Sequence, residues 1–153
     1  MTFCDPIHSY ARANPNALAI VDLESDRRWT YGTLNQAVDR LAAWIEGEFG
    51  PNSGVRLATL SKNCAEMVIL QHAGARAGSI FVPFNWRLAS AEIDALAADA
   101  EPEIVFHDPE FAPPSAARRA MAVADMLSLG QDGDKPSPDA RRPFGDVATF
   151  LYT

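Results

Sequence analysis

Between Val55 and Phe106 the spacing of apolar residues switches repeatedly between the period of a strand and that of a helix. Val55-Arg56-Leu57-Ala58-Thr59-Leu60 predicts a strand, and Met67, Val68, Ile69 and Leu70 open a helix that is apolar nearly all round. Ser79 to Phe84 predicts a second strand. A second helix starts near Ser90, with Ile93, Leu96, Ala97 and Ala100 on one face, and Glu103 to Phe106 predicts a third strand. Links this short, with a helix inside each, join parallel strands by crossovers. Such crossovers are right-handed. The fold class is therefore α/β, an open, mostly parallel, doubly wound sheet.

Local signals mark the element ends. Asn63-Cys64-Ala65-Glu66 reads as an Asx form of the capping box, and Gly78 closes that helix. Upstream, Asp5-Pro6 starts a helix that Pro15 ends. Leu18 to Asp22 and Arg27 to Thr30 read as a β-hairpin around a polar break. Leu34, Val38, Leu41 and Ile45 then recur at helical spacing, with Thr30 as the cap and Gly50-Pro51 at the end. Prolines and glycines interrupt Pro109 to Pro143, where Met121 to Leu129 reads as a short helix or strand. Asp146 to Thr153 is strand-like again. One domain of 153 residues is expected: hairpin plus βαβαβ over 1–108, a surface connection over 109–145 and a strand over 146–153.

Composition narrows the partners. A net charge of −7 makes nucleic acid or an anionic membrane a poor partner. No apolar run reaches the ~18 residues of a spanning helix, and the first residues lack a basic segment followed by an apolar one, so a cytoplasmic protein is expected. The two cysteines, Cys4 and Cys64, are too few for a disulfide scaffold.

In open α/β sheets ligands bind beyond the carboxyl ends of the strands. That rule selects Ser61-Lys62-Asn63, Asn85-Trp86-Arg87, His107-Asp108 and the end of the last strand at Thr153. Arg87 carries a planar fork of donors suited to phosphate or carboxylate, and Trp86 beside it offers a stacking surface. Lys62 can attract an anion, and Asn63 reads as a helix cap. His8, His72 and His107 have no partner at a catalytic spacing. No glycine-rich dinucleotide or P-loop motif, no serine-hydrolase elbow and no metal-type cluster occurs. No catalytic residue and no metal ligand is assigned.

Short segments placed on this order resemble the adenylate-forming, AMP-binding superfamily. Trp29-Thr30-Tyr31-Gly32-Thr33-Leu34 is similar to its T-Y-x-E-L segment, with Thr33 where that pattern has an acid. Leu60 to Glu66 is similar to its L-x-N-S-x-E turn. Ala75 to Leu88, containing Val82-Pro83-Phe84-Asn85-Trp86-Arg87-Leu88, resembles its A-x-x-A-G-A-x-x-V-P-L-N-x-R-L segment. Asp146 to Thr153 resembles the strand entering the family's phosphate loop. Asn85 to Leu88 is closer to acyl- and aryl-CoA synthetases than to peptide-synthetase adenylation domains. Where the family's R-L-T-x-x-E has a capping Thr, this chain has Ala89, and Ser90 is expected to cap instead.

The resemblance implies the N-terminal part of an acyl-CoA synthetase that uses ATP, Mg2+, CoA and a small carboxylic acid. It implies that Arg87 contacts a phosphate of the CoA nucleotide and that Thr153 opens the phosphate loop. The catalytic lysine, acyl pocket and adenine-binding segments would lie beyond Thr153. The 153 residues alone are then expected to be inactive and to bind none of these ligands tightly. Two alternatives stand beside this: a free-standing α/β nucleotide- or anion-binding module, and a non-catalytic interaction domain. An unfinished sheet edge predicts self-association, a homodimer being the simplest form, or lost stability.

Overall fold

A computed structural model of the chain describes residues 2–23, 25–131, 141–143 and 147–152. The elements are β1 (Thr2–Cys4), α1 (Pro6–Ala13), β2 (Leu18–Val21), β3 (Arg28–Thr30), α2 (Tyr31–Phe49), β4 (Arg56–Leu60), α3 (Ala65–Ala77), β5 (Ile80–Pro83), α4 (Ser90–Ala100), β6 (Ile104–His107), β7 (Arg119–Ala122) and β8 (Arg141–Pro143). A 3-10 helix, Val123–Ser128, lies between β7 and β8.

The main sheet is parallel throughout, in the order β5-β4-β6-β7. Strand β4 is central. The chain steps from β4 to β5 on one side, then crosses back over β4 to β6 on the other. Alternate side chains of each strand point to opposite faces. Leu57, Phe81, Ile104 and Phe106 join one core with Ile69, Leu70, Ala73 and Ala77 of α3. Ala58, Leu60, Val82 and Val105 join a second core with Ile93, Ala97 and Ala100 of α4. The two crossover helices thus cover opposite faces of a doubly wound α/β sheet.

The long α2 lies over α3 and buries Leu34, Ala37, Val38, Leu41, Ala42 and Ile45, the stripe its periodicity predicts. Its start is a capping box in which Thr33 replaces the acid: Thr33 N donates to Thr30 Oγ1 at 3.2 Å, and Thr30 N donates to Thr33 Oγ1 at 3.0 Å. Strands β2 and β3 form the expected antiparallel hairpin. Gly78 ends α3 in the left-handed region (φ 80°), which only a residue without Cβ adopts freely.

Three expectations need correction. Residues 109–131 are more than a surface connection: β7 adds a parallel strand beyond β6, and Val123 and Met126 of the 3-10 helix enter the first core. The short helix or strand expected over Met121 to Leu129 is present, as the end of β7 and the 3-10 helix; the pairing of β7 with β6 is what a four-residue strand with two exposed residues does not signal. The 146–153 strand contributes one parallel bridge, Thr149 against Phe81, with Phe81 N to Ala148 O and Phe150 N to Phe81 O both at 2.9 Å; Asp146 and Thr153 fall outside the described residues. The cap of α3 is Cys64 rather than Asn63, with no side-chain bond, and that of α4 is Ala89 rather than Ser90. Glu92 Oε2 still accepts from Ala89 N at 2.8 Å, so half of the α4 box survives.

Buried charge ties α1 to this frame. Arg76 of α3, with a side chain 1% exposed, donates Nε to Asp5 Oδ2 at 2.7 Å, Nη2 to Asn35 Oδ1 at 2.9 Å and Nη1 to Asp39. Asp5 also caps α1, accepting from Ile7 N at 2.8 Å. Burial alone would raise the Asp5 carboxyl. The His72 ring, the Arg76 hydrogen bond and charge, and the His8 amide outweigh it and hold the group well below the ordinary carboxylate range.

Two outcomes follow from these ends and pairs. Ala89→Thr restores the missing cap at a residue already in extended geometry (φ −66°, ψ 151°). Urea unfolding should show a gain of about 1 kcal/mol with an unchanged m value. Asp5 stabilises the fold fully above the unfolded carboxylate pKa of about 4 and loses that contribution as pH falls through its lower folded value. Asp5→Asn keeps a capping oxygen but removes the charge. It should cost about 2–3 kcal/mol at pH 7 and flatten the fall in stability below about pH 4.

Candidate functional site at the carboxyl edge of the sheet

The site follows from the winding. After β4 the chain turns through Ser61 to Cys64 and enters α3 on one face. After β5 it turns through Phe84 to Ala89 and enters α4 on the other. The chain leads from β4 toward β5 on one side and from β6 toward β7 on the other; where the direction reverses, a crevice opens outside the carboxyl ends of the strands, the place where such sheets bind ligands.

Trp86 is the centre of this edge. Arg87 Cζ lies 4.3 Å from its ring centroid and Lys62 Nζ 5.8 Å from it. Phe111 stacks on it at 5.8 Å between centroids, the planes 28° apart. The loop after β5 is shaped by Asn85, whose Oδ1 accepts from Arg87 N at 3.1 Å. Arg87 is exposed, and among the described residues no carboxylate lies within ion-pair distance of its guanidinium. Lys62 is half-buried and pairs with Glu110, Nζ to Oε2 at 2.6 Å.

Glu110 and Phe111 sit on a tight turn after β6. Phe111 N donates to Asp108 O at 2.9 Å and Glu110 N to Asp108 Oδ1 at 3.1 Å. His107 Nδ1 lies 3.1 Å from Asp108 O and 3.0 Å from Phe111 O. Both neighbours are carbonyl acceptors, so this nitrogen carries a proton and the ring braces the turn. The winding brings Lys62, Trp86 and Arg87 together as the strand-end rule expects. Thr153, the other expected site residue, lies outside the described residues. Sequence reasoning passed over Glu110 and Phe111; an Asp-x-Glu turn directly after a strand was the available signal.

Beside the crevice a cleft of about 280 Å3 is lined by Arg27, Lys62, Asn63, Cys64, Asp108 and Ala124, among others. Its polar groups are largely spent on one another. Arg27 donates to both oxygens of buried Glu66, at 2.6 and 3.0 Å, and to Asp22 at 3.0 Å. The Glu66 hydrogen bond leads the effects that hold Arg27 above its ordinary value. Burial pushes the Cys64 thiol up, away from the reactive thiolate. Among the described residues no group of three or more His, Cys, Asp or Glu side chains could hold a metal ion, and no helix is long and apolar enough to cross a membrane.

The model of the AMP-binding enzyme family matches residues 7–153. The chain is 32% identical over 144 residues to a feruloyl-CoA synthase of an Amycolatopsis species, covering 94% of this chain and 29% of that protein. It is 36% identical over 134 residues to an indoleacetate–CoA ligase of Aromatoleum aromaticum, covering 84% of this chain and 25% of the other. The fold is shared with O-succinylbenzoate coenzyme A synthetase of Bacillus subtilis, solved with AMP: TM-score 0.83 at 21% identity, over all of this chain and 39% of that one. A fatty acyl CoA synthetase of Mycobacterium tuberculosis matches with TM-score 0.79 at 25% identity, over 96% of this chain and 31% of that one. The chain belongs to the AMP-binding, adenylate-forming enzyme family. It spans less than a third of the length of these two curated relatives.

Proposed function

We propose that this chain forms part of an AMP-forming acid–CoA ligase, and that its carboxyl-edge crevice holds the nucleotide end of CoA. In the first step of that reaction a carboxylate oxygen attacks the α-phosphorus of ATP and pyrophosphate leaves. In the second, the CoA sulfur attacks the acyl carbon, AMP leaves with the bonding pair, and the thiol proton is lost. The observation that carries the reading is Arg87: an exposed guanidinium with no carboxylate within ion-pair distance among the described residues, packed on Trp86 at the carboxyl edge of the sheet. A guanidinium in that state is an anion receptor. The similarity to acid–CoA ligases supports the same assignment.

In this reading Arg87 contacts a CoA phosphate and Thr153 opens the loop that cradles the ATP phosphates. The support for Thr153 is its place directly after the apolar run Phe150-Leu151-Tyr152. Mg2+ would accompany ATP; the described residues offer it no ligand cluster, and the Arg87 contact does not depend on it. Charge-assisted hydrogen bonds are worth ~1.5–3 kcal/mol, so Arg87→Gln should raise KM for CoA by about ten- to a hundred-fold. Pyrophosphate exchange driven by the carboxylic acid needs no CoA and should be unchanged. Steady-state and exchange kinetics on the ligase expressed from its gene check both. Exchange lost together with CoA affinity would count against a contact confined to CoA.

A further inference from the structure

Trp86 and Phe111 meet across the end of a strand. Trp86 follows β5 and Phe111 follows β6, and the sheet order puts β4 between them. Neighbouring strands stand ~4.8 Å apart, so β5 and β6 run ~10 Å apart and side chains close the gap above β4. The ring centroids lie 5.8 Å apart with the planes at 28°, a stacked pair. Both rings also pack against the core between the sheet and α4. Phe111 is the fixed partner. Asp108 N donates to Leu60 O at 3.0 Å, which ties the turn after β6 to the end of β4, and Phe111 N donates to Asp108 O at 2.9 Å. The Phe111 carbonyl accepts from His107 Nδ1 at 3.0 Å. Trp86 in turn carries the Arg87 guanidinium, with Cζ 4.3 Å from the ring centroid.

We infer that Phe111 is a positioning residue for CoA binding: it holds the Trp86 ring, and the ring holds the Arg87 guanidinium in one place. This rests on the reading of Arg87 given above. An exposed arginine side chain has much rotamer freedom to lose when it grips a ligand. A guanidinium already laid on an aromatic face has given up part of that freedom before the ligand arrives, and affinity gains accordingly. Asn85 Oδ1, accepting from Arg87 N at 3.1 Å, fixes the backbone from which the side chain starts. The indole fixes the far end, and the indole needs a neighbour to hold its own orientation. Phe111 is that neighbour, supplied from a different loop on the other side of β4. In the proposed reaction Arg87 contacts CoA and neither the acid nor ATP. Phe111 therefore acts on the capture of CoA and leaves adenylate formation alone.

The test is steady-state and pyrophosphate-exchange kinetics on the ligase expressed from its gene. Phe111→Leu keeps the apolar bulk and removes the ring. It should raise KM for CoA by about two- to five-fold, the worth of an exposed cation–π contact, with kcat and acid-driven exchange unchanged. Phe111→Tyr keeps the ring and should keep the wild-type KM. In an Arg87→Gln background Phe111→Leu should add nothing, because residues that act through one contact are not additive. An equal further rise in that background, a wild-type KM in Phe111→Leu, or exchange lost together with CoA affinity would overturn the positioning role. In each case a raised KM in Arg87→Gln alone leaves the Arg87 reading standing. A wild-type KM in Arg87→Gln would overturn both.

Discussion

Everything at the carboxyl edge depends on β4 being the central strand of a sheet wound in two directions. Its side chains alternate between two separate cores, Leu57 toward α3 and Ala58 and Leu60 toward α4. Because α3 and α4 cover opposite faces, the loops that lead into them part above β4 and β5. The crevice results from connectivity, independent of any one side chain. What the sequence adds is chemistry at its lip: a cation after each of these strands, both within 6 Å of the centroid of one indole.

Elsewhere, charged pairs tie the helices and the hairpin to one another. Arg76 gathers α1 and α2 onto α3 through Asp5, Asp39 and Asn35. Arg27 fastens the hairpin turn to the first turn of α3 through Glu66. Buried ions cost solvation unless every partner is satisfied, and here the guanidiniums are shared among several acceptors. These arginines therefore hold the frame, whereas Arg87 is left open. The contrast separates an arginine that binds its own chain from one available to a ligand.

Much of the fold was legible in the sequence because β4, β5, β6 and the helices between them are filled with period-matched apolar residues, and Gly78 closes α3. The α2 stripe and its Thr30 cap were legible for the same reason. The parts that escaped are those with weak local signals. Strand β7 is short and half exposed, so its pairing is decided by β6 beside it. Glu66 looked like a capping acid, yet its carboxylate goes to Arg27, 39 residues away in sequence, a long-range pairing that no local pattern encodes. At the site, Lys62, Trp86 and Arg87 followed from the strand-end rule. The Glu110–Lys62 pair depends on β6 lying next to β4, which follows only once the strand order is known.

The central claim is that this crevice is where a nucleotide phosphate binds. Its most direct measurement is a crystal structure of the ligase expressed from its gene with adenosine 3′,5′-bisphosphate. The account predicts a phosphate between the loops of residues 61–64 and 84–88, within hydrogen-bond distance of Arg87, with the base against the Trp86 side of the rim. A ligand ordered instead at the opposite rim, near Gly54, Gly78 and Glu101, would contradict it.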